Sequence, residues 1–204
     1  MVERDMPEST EPRSGRQRIL ERARDLFLER GFQDVSMREI ADAAGLRKAS
    51  IYHHFADKEE LFTAIILQET RDLRECMAAS IEGVSGFRER LTCLTRAHIH
   101  STRSHSVRLV EDFRTHIPES RHDDMHDELR NLFAVYEQVF SEAHAAGEIV
   151  NIEPSLAASC FFQIVLSFSW DWLETGGAVK PPPDDLADLA IRIVLHGIAS
   201  PSLR

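Results

Sequence analysis

The chain has 204 residues, 43% of them hydrophobic and 28% charged, which is enough apolar mass for one or two ordinary cores. No apolar run approaches the roughly 20 residues that cross a bilayer, and the acidic opening MVERDMPESTEPR does not read as a secretory leader, so the expected location is the cytoplasm, with no membrane partner. The net charge of −10 would oppose a nucleic-acid partner if it were uniform, but residues 13 to 58 carry ten Lys/Arg against seven Asp/Glu, leaving an acidic body behind a basic head.

Residues 1 to 13 read as a disordered arm. Ser14 caps the first helix, with Gln17 completing a capping box, and Ile19, Leu20, Ala23, Leu26 and Phe27 recur at helical spacing before Gly31 stops it. Ser36 with Glu39 forms a second box and opens a short helix whose apolar face is Met37, Ile40 and Ala41. Gly45 supplies the turn, Leu46 tucks into the angle, and another short helix runs from about Lys48 to Phe55. Its apolar positions, Ala49, Ile51 and Phe55, are few, and no acid stands between Arg47 and Ala56. Asp57 and Glu60 cap the next helix, which carries Leu61, Ala64, Ile65 and Leu73 to about residue 80, before Gly83 and Gly86 mark a break.

Two short helices around a tight turn, with a third capped directly behind, are the layout of a helix-turn-helix DNA reader, and an acid-free second helix suits a polyanion. Ser36, Tyr52, His54 and Lys58 are expected on phosphates. Arg47, Lys48, Ala49 and His53 are placed for base edges, joined by Arg38, and Ser50 faces outward with them.

The body continues with a helix over Phe87 to Ser101 on Leu91, Leu94 and Ile99, then a shorter one through Val107, Leu109, Val110 and Phe113. Pro118 is expected to open a long helix to Ala146, with Leu129, Leu132, Phe133, Tyr136, Val139 and Phe140 inside and Gly147 as its stop. Pro154 opens another, carrying Phe161, Phe162, Ile164, Val165, Phe168 and Trp172; Gly176 and Gly177 end it, PPP at 181 to 183 stiffens the loop, and Asp184 to Ile198 is the last helix. The fold class is all-α with about nine helices, divided into a DNA-binding domain at 14 to 60 and a larger helical domain at 61 to 204. Cys76, Cys93 and Cys160 are odd in number and widely spaced, as befits reduced, mostly buried thiols. His122 and His126, at i and i+4 and each followed by an aspartate, have a metal-pair spacing. They support an alternative reading as a helical metal-dependent phosphohydrolase, against the plainer one of a solvated helix start. A helical adaptor without DNA binding is a third alternative. On the main reading no catalytic residue, metal or cofactor is expected.

The run IADAAGLRKASIYHHFADKEELF resembles the helix-turn-helix signature of the TetR family of bacterial transcriptional regulators, in its IA-x-x-AG-x turn, its (S/T)-(I/L)-Y-x-H-F end of the recognition helix and its x-K-E-x-L-F opening of the next helix. The likeness is strong over residues 14 to 65 and architectural beyond. Arg47 stands where the family usually has Ser or Thr, so it cannot cap the recognition helix through a hydroxyl, and Ala49 where Gly is frequent. The resemblance implies that residues 61 to 204 form an effector-binding and dimerisation domain, with a homodimer held by the last two helices, a palindromic double-stranded operator, and a repressor released by a small hydrophobic or amphipathic effector. The segment FSWDWLETGGAVKPPPDDLADLAIRIVLHGI further resembles a subgroup that binds acyl-CoA thioesters, which makes acyl-CoA the lead effector class. The candidate pocket is Phe87, Leu94, Phe113, Phe133 and Trp170, with Arg130 as an internal anion partner.

Overall fold

A computed structural model of the chain describes residues 14–102, 106–174 and 183–198. Its helices are α1 (Gly15–Arg30), α2 (Met37–Ala43), α3 (Lys48–His54), α4 (Lys58–Ser80), α5 (Phe87–Thr102), α6 (Ser106–His116), α7 (Asp123–Ala145), α8 (Pro154–Glu174) and α9 (Pro183–Ile198), with a 3-10 turn at Glu119–Arg121. The fold is all-α. It divides into two compact units between Ile65 and Ile66, inside α4 and slightly beyond the boundary expected from sequence.

The N-terminal unit is built on local signals. The Ser14 hydroxyl accepts from the Gln17 N–H at 3.2 Å, but the Gln17 side chain turns to Glu21, so only half of the expected box forms. Gly31, at φ +86°, ends α1 by donating to the Phe27 carbonyl at 2.8 Å. Phe27, Phe32 and Phe62 meet with ring centroids 4.9 to 5.8 Å apart, and Ile19, Ile40, Ile51 and Leu61 fill the space around them without measurable exposure. Each such side chain contributes roughly 1.5–3 kcal/mol on burial. That packing has to hold α3, which with seven residues is too short to persist alone.

The C-terminal unit centres on Leu91 and Leu94 of α5, Tyr136 and Phe140 of α7, Phe161 and Val165 of α8, and Ala190 and Ile191 of α9. Pro118 caps the 3-10 turn, and the α-helix expected from it begins only at Asp123. The inward stripe of α7 is Met125, Glu128, Leu132, Tyr136, Val139, Phe140 and Ala143, which leaves Leu129 outside, contrary to expectation, at 43% exposure. Glu128 is buried because Arg71 and Arg74, one helical turn apart on α4, each bring Nε to one of its oxygens at 3.2 and 3.0 Å. The thiols also differ from expectation: Cys76 and Cys160 are exposed and Cys93 is half-buried. Phe161 is core and Phe162 half-buried, whereas Gly176, Gly177, Pro181 and Pro182 lie outside the described residues, as do the side chains of Phe168, Trp170 and Trp172. No helix among the described residues is long and apolar enough to cross a membrane.

Candidate nucleic-acid interface

The interface is assembled from α2, its turn and α3. At the start of α2 both halves of the capping box are made: Ser36 Oγ accepts from the Glu39 N–H at 3.3 Å, and Glu39 accepts from the Ser36 N–H at 2.8 Å. The Ser36 hydroxyl spends its own proton on Glu39 at 2.7 Å, and Arg30 reaches the same carboxylate at 2.8 Å. These bonds, that of Ser36 foremost and Arg30 next, hold the Glu39 carboxyl down from its ordinary 4.5 to about 2. Gly45 then turns the chain at φ +67°, and the Leu46 N–H closes the corner on the Ala41 carbonyl at 2.9 Å, with Leu46 half-buried.

Arg47 stands at the N-cap of α3 with no side-chain cap hydrogen bond, as its replacement of a hydroxyl residue implied, and it is exposed. Within α3 only Ile51 is buried, and Phe55 anchors the end of the helix. Lys48, Ala49, Tyr52, His53 and His54 are exposed and Ser50 is half-buried. Ala49, counted among the apolar anchors of the helix, therefore lies on its outer side, where a base edge can approach it. The Lys48 ammonium lies 5.8 Å from the Tyr52 ring centroid. Arg38 is exposed and 3.9 Å from Asp42, an exposed pair too weak to withhold the guanidinium from another anion. Ser36, Arg38, Lys48 and Tyr52 line one shallow cleft of about 460 Å³ on this face.

Lys58 departs from its expected role. Its ammonium donates to the carbonyls of Phe32 at 2.8 Å, Val35 at 3.0 Å and Gln33 at 3.4 Å, and it sits 4.3 Å from the Phe32 ring centroid. All three donors are committed to the loop between α1 and α2, so Lys58 reads as a clamp within the fold. Arg16 was not singled out from sequence. Its guanidinium stands 5.2 Å from the Phe55 ring, which adds an exposed cation beside the end of α3; the signal was the run GRQR with no acid in the first turn of α1.

The expected effector residues are brought together only in part. Phe87 and Leu94 are core; Phe87 stacks edge-on with Phe140 at 5.1 Å, and Phe133 is half-buried on the margin of that core. Phe113 sits elsewhere, against the His122 ring at 4.7 Å. Arg130 faces outward with its side chain 76% exposed and pairs with Asp127, so it supplies no internal charge, and Trp170 is described only through its backbone. The sequence did not single out His98, which is fully buried on α5 with Nδ1 2.7 Å from the Tyr136 hydroxyl. Burial pushes the imidazole down to about 4 and the phenol up, so both are neutral near pH 7. His122 is held by the Ile117 carbonyl at 2.9 Å, and among the described residues no three His, Cys, Asp or Glu are grouped to hold a metal ion.

Comparison with known proteins fits this geometry. Residues 19–65 match the family described as bacterial regulatory proteins, tetR family, and residues 85–198 match the tetracyclin repressor-like C-terminal domain. The chain is 30% identical over 202 residues to the HTH-type transcriptional repressor KstR2 of Rhodococcus jostii (strain RHA1), covering 95% of this chain and 96% of that one. Among solved structures, a protein of unknown function from Rhodococcus sp. RHA1 superposes with a TM-score of 0.80 at 22% identity, over 95% of this chain and all of that one. The transcriptional regulator FadR from Bacillus subtilis, solved in complex with stearoyl-CoA, does so with a TM-score of 0.76 at 18% identity, over 89% and 98% of the two chains.

Proposed function

The chain belongs to the TetR family of bacterial regulatory proteins, and from that premise we propose that it is a homodimeric repressor that holds a palindromic operator until an apolar or amphipathic effector enters its C-terminal unit. The family is one of transcriptional regulators, and the chain is not an enzyme. The observation that carries the DNA reading is the outward side of α3, which presents Lys48, Ala49, Tyr52, His53 and His54 beside an uncapped Arg47 with no acid among them. Arg47, Lys48, Ala49 and His53 read base edges, with Arg38 beside them. Tyr52, His54 and Ser50 position the phosphates; Ser36, whose hydroxyl and N–H are both taken up by Glu39, is not in that set.

A dimer that reads two major-groove half-sites needs its α3 helices roughly 34 Å apart or a multiple of that distance. Leu156 on α8 and Ile193 on α9 are 57% and 50% exposed, which supports pairing through these two helices. The effector acts through α4, which takes part in both units, by binding one arrangement of the dimer more tightly than the other; a differential of about 1–3 kcal/mol suffices. Acyl-CoA thioesters remain the lead class, supported by the segment from Phe168 to Ile198 and by the fold shared with the stearoyl-CoA complex. Phe87, Leu94 and Phe133 are wall candidates, and Arg130 is not in that set. The test is a gel shift of the complex with the promoter region of its own gene, titrated with long-chain and ring-bearing acyl-CoAs and with uncharged apolar compounds. Release by an acyl-CoA is expected. Release only by the uncharged compounds would remove the thioester, and release by none would remove the effector switch.

A further inference from the structure

The end of α3 meets the first turn of α1. Nε2 of His54 lies 3.4 Å from where a Cβ on Gly15 would stand, so the imidazole runs alongside that turn. Arg16 follows Gly15, and its guanidinium stands 5.2 Å from the ring centroid of Phe55, the residue after His54. Two exposed side chains from distant parts of the chain are thus brought side by side, the guanidinium steadied by an aromatic face. The first turn of α1 holds no acid, and among the described residues no acid pairs with Arg16 or His54.

The other charged groups near this corner are either cationic or committed elsewhere. Arg18 stands one turn along α1 from Gly15 and is exposed, and the His53 ring centroid is 5.5 Å from that of His54. Asp57 and Glu60, the acids that follow α3, accept from the N–H groups of Glu60 and Ala56, each at 2.7 Å, and Lys58 is turned to the Phe32 carbonyl. A guanidinium and an imidazole with no acid between them suit an anionic oxygen group. The guanidinium offers a planar fork of N–H donors that matches a phosphate. Histidine is the side chain whose charge changes between about pH 5 and 8, and an opposite charge within reach favours its charged form. A phosphate held at this corner therefore brings a proton with it.

We propose that Arg16 and His54 together seat one phosphate of the operator backbone beyond the end of α3, and that His54 takes up a proton as the phosphate arrives, so that operator affinity rises as pH falls. The proposal rests on the DNA reading and adds to it a contact from α1 and a coupled proton. That proton comes from solvent, binds the free imidazole nitrogen and returns to solvent when the DNA leaves. Because uptake accompanies binding, the linkage has one sign only: acidification favours the complex and alkalinity favours release.

The test is fluorescence anisotropy of the full-length protein with labelled promoter DNA of its own gene and with random DNA, at pH 6 and pH 8 and over a range of salt. Native affinity is expected to rise about fivefold from pH 8 to pH 6, and His54→Gln, which keeps a donor but cannot titrate, should remove at least about half of that rise on a logarithmic scale. Arg16→Gln should weaken promoter and random DNA alike and lower the magnitude of the log–log salt slope by about 0.9, whereas Arg16→Lys should restore the slope. If Arg16→Gln does not fold, as judged by circular dichroism, Arg16→Met, whose stem still covers Phe55, carries the same expectation. A pH response that His54→Gln leaves intact, or a salt slope that the loss of the Arg16 charge leaves intact, would overturn the proposal while the DNA reading stands. Both effects seen without any preference for the promoter would uphold the phosphate seat and remove the operator reading. Binding of neither DNA would overturn both.

Discussion

Replacing Lys58 by Met separates two roles that the sequence cannot tell apart. A phosphate-binding lysine would leave stability intact, weaken operator and random DNA alike, and lower the magnitude of the log–log salt slope by about 0.9. The structure instead gives the ammonium three carbonyl acceptors, at 2.8, 3.0 and 3.4 Å, and an aromatic face at 4.3 Å. Hydrogen bonds from a charged donor contribute about 1.5–3 kcal/mol each, and two of these three are short. Lys58 is half-buried, so water recovers part of the loss at the freed carbonyls. Methionine keeps the stem against Phe32, which leaves a net destabilisation of about 2–4 kcal/mol in the N-terminal unit. Scanning calorimetry without DNA should show a transition lowered by several degrees, and the salt slope measured well below that transition should be unchanged. A native-like melting curve combined with a slope smaller by one phosphate would refute the clamp.

Replacing Arg47, Lys48 and His53 together by Ala should redistribute or abolish the footprint while leaving the melting curve unchanged, because none of the three is buried; an unchanged footprint would remove them from base readout. The depressed Glu39 carboxyl makes a pH prediction: its stabilisation is fully present above about 4.5 and is lost as pH falls from there towards 2, so Glu39→Gln should flatten the acid limb of the N-terminal transition in that window, and superimposable limbs would contradict this. Glu128→Gln breaks a carboxylate shared by two guanidiniums, and because Arg71 and Arg74 remain 48% and 33% exposed the cost should fall near 2 kcal/mol, read from the urea midpoint of the C-terminal unit. Arg74→Ala should cost more than Arg71→Ala, and the reverse order would show that the grip is carried by the more solvated arm.

What was legible in the sequence was whatever local chemistry decides. Ser36 with Glu39, Gly31, Gly45 and Asp57 with Glu60 mark their helix ends because cap and turn preferences act within four residues, and each stands where the pattern placed it. The acid-free α3 was legible for the same reason. What escaped depends on partners far away in the chain. Lys58 beside a helix start reads as a surface cation until the carbonyls of Phe32 and Val35 close on it, and Glu128 inside an apolar stripe reads as a solvated acid until Arg71 and Arg74 arrive from α4. Leu129 and Arg130 looked internal because they stand among apolar neighbours, but the inward face of α7 is set by Met125, Glu128, Leu132 and Tyr136, and the two positions after Glu128 turn away from it. His98 and Tyr136, 38 residues apart, have no sequence signature as a pair.

The recognition helix is fastened by Ile51 and Phe55, and its other side chains lie at or near the surface. Its vocabulary is therefore separable from its grammar: Lys48, Ala49 and His53, the exposed positions proposed to face base edges, can be rewritten without the core registering the change. A lineage carrying this scaffold can acquire a new operator through neutral steps in stability, each edit altering what is read and none altering whether the reader folds.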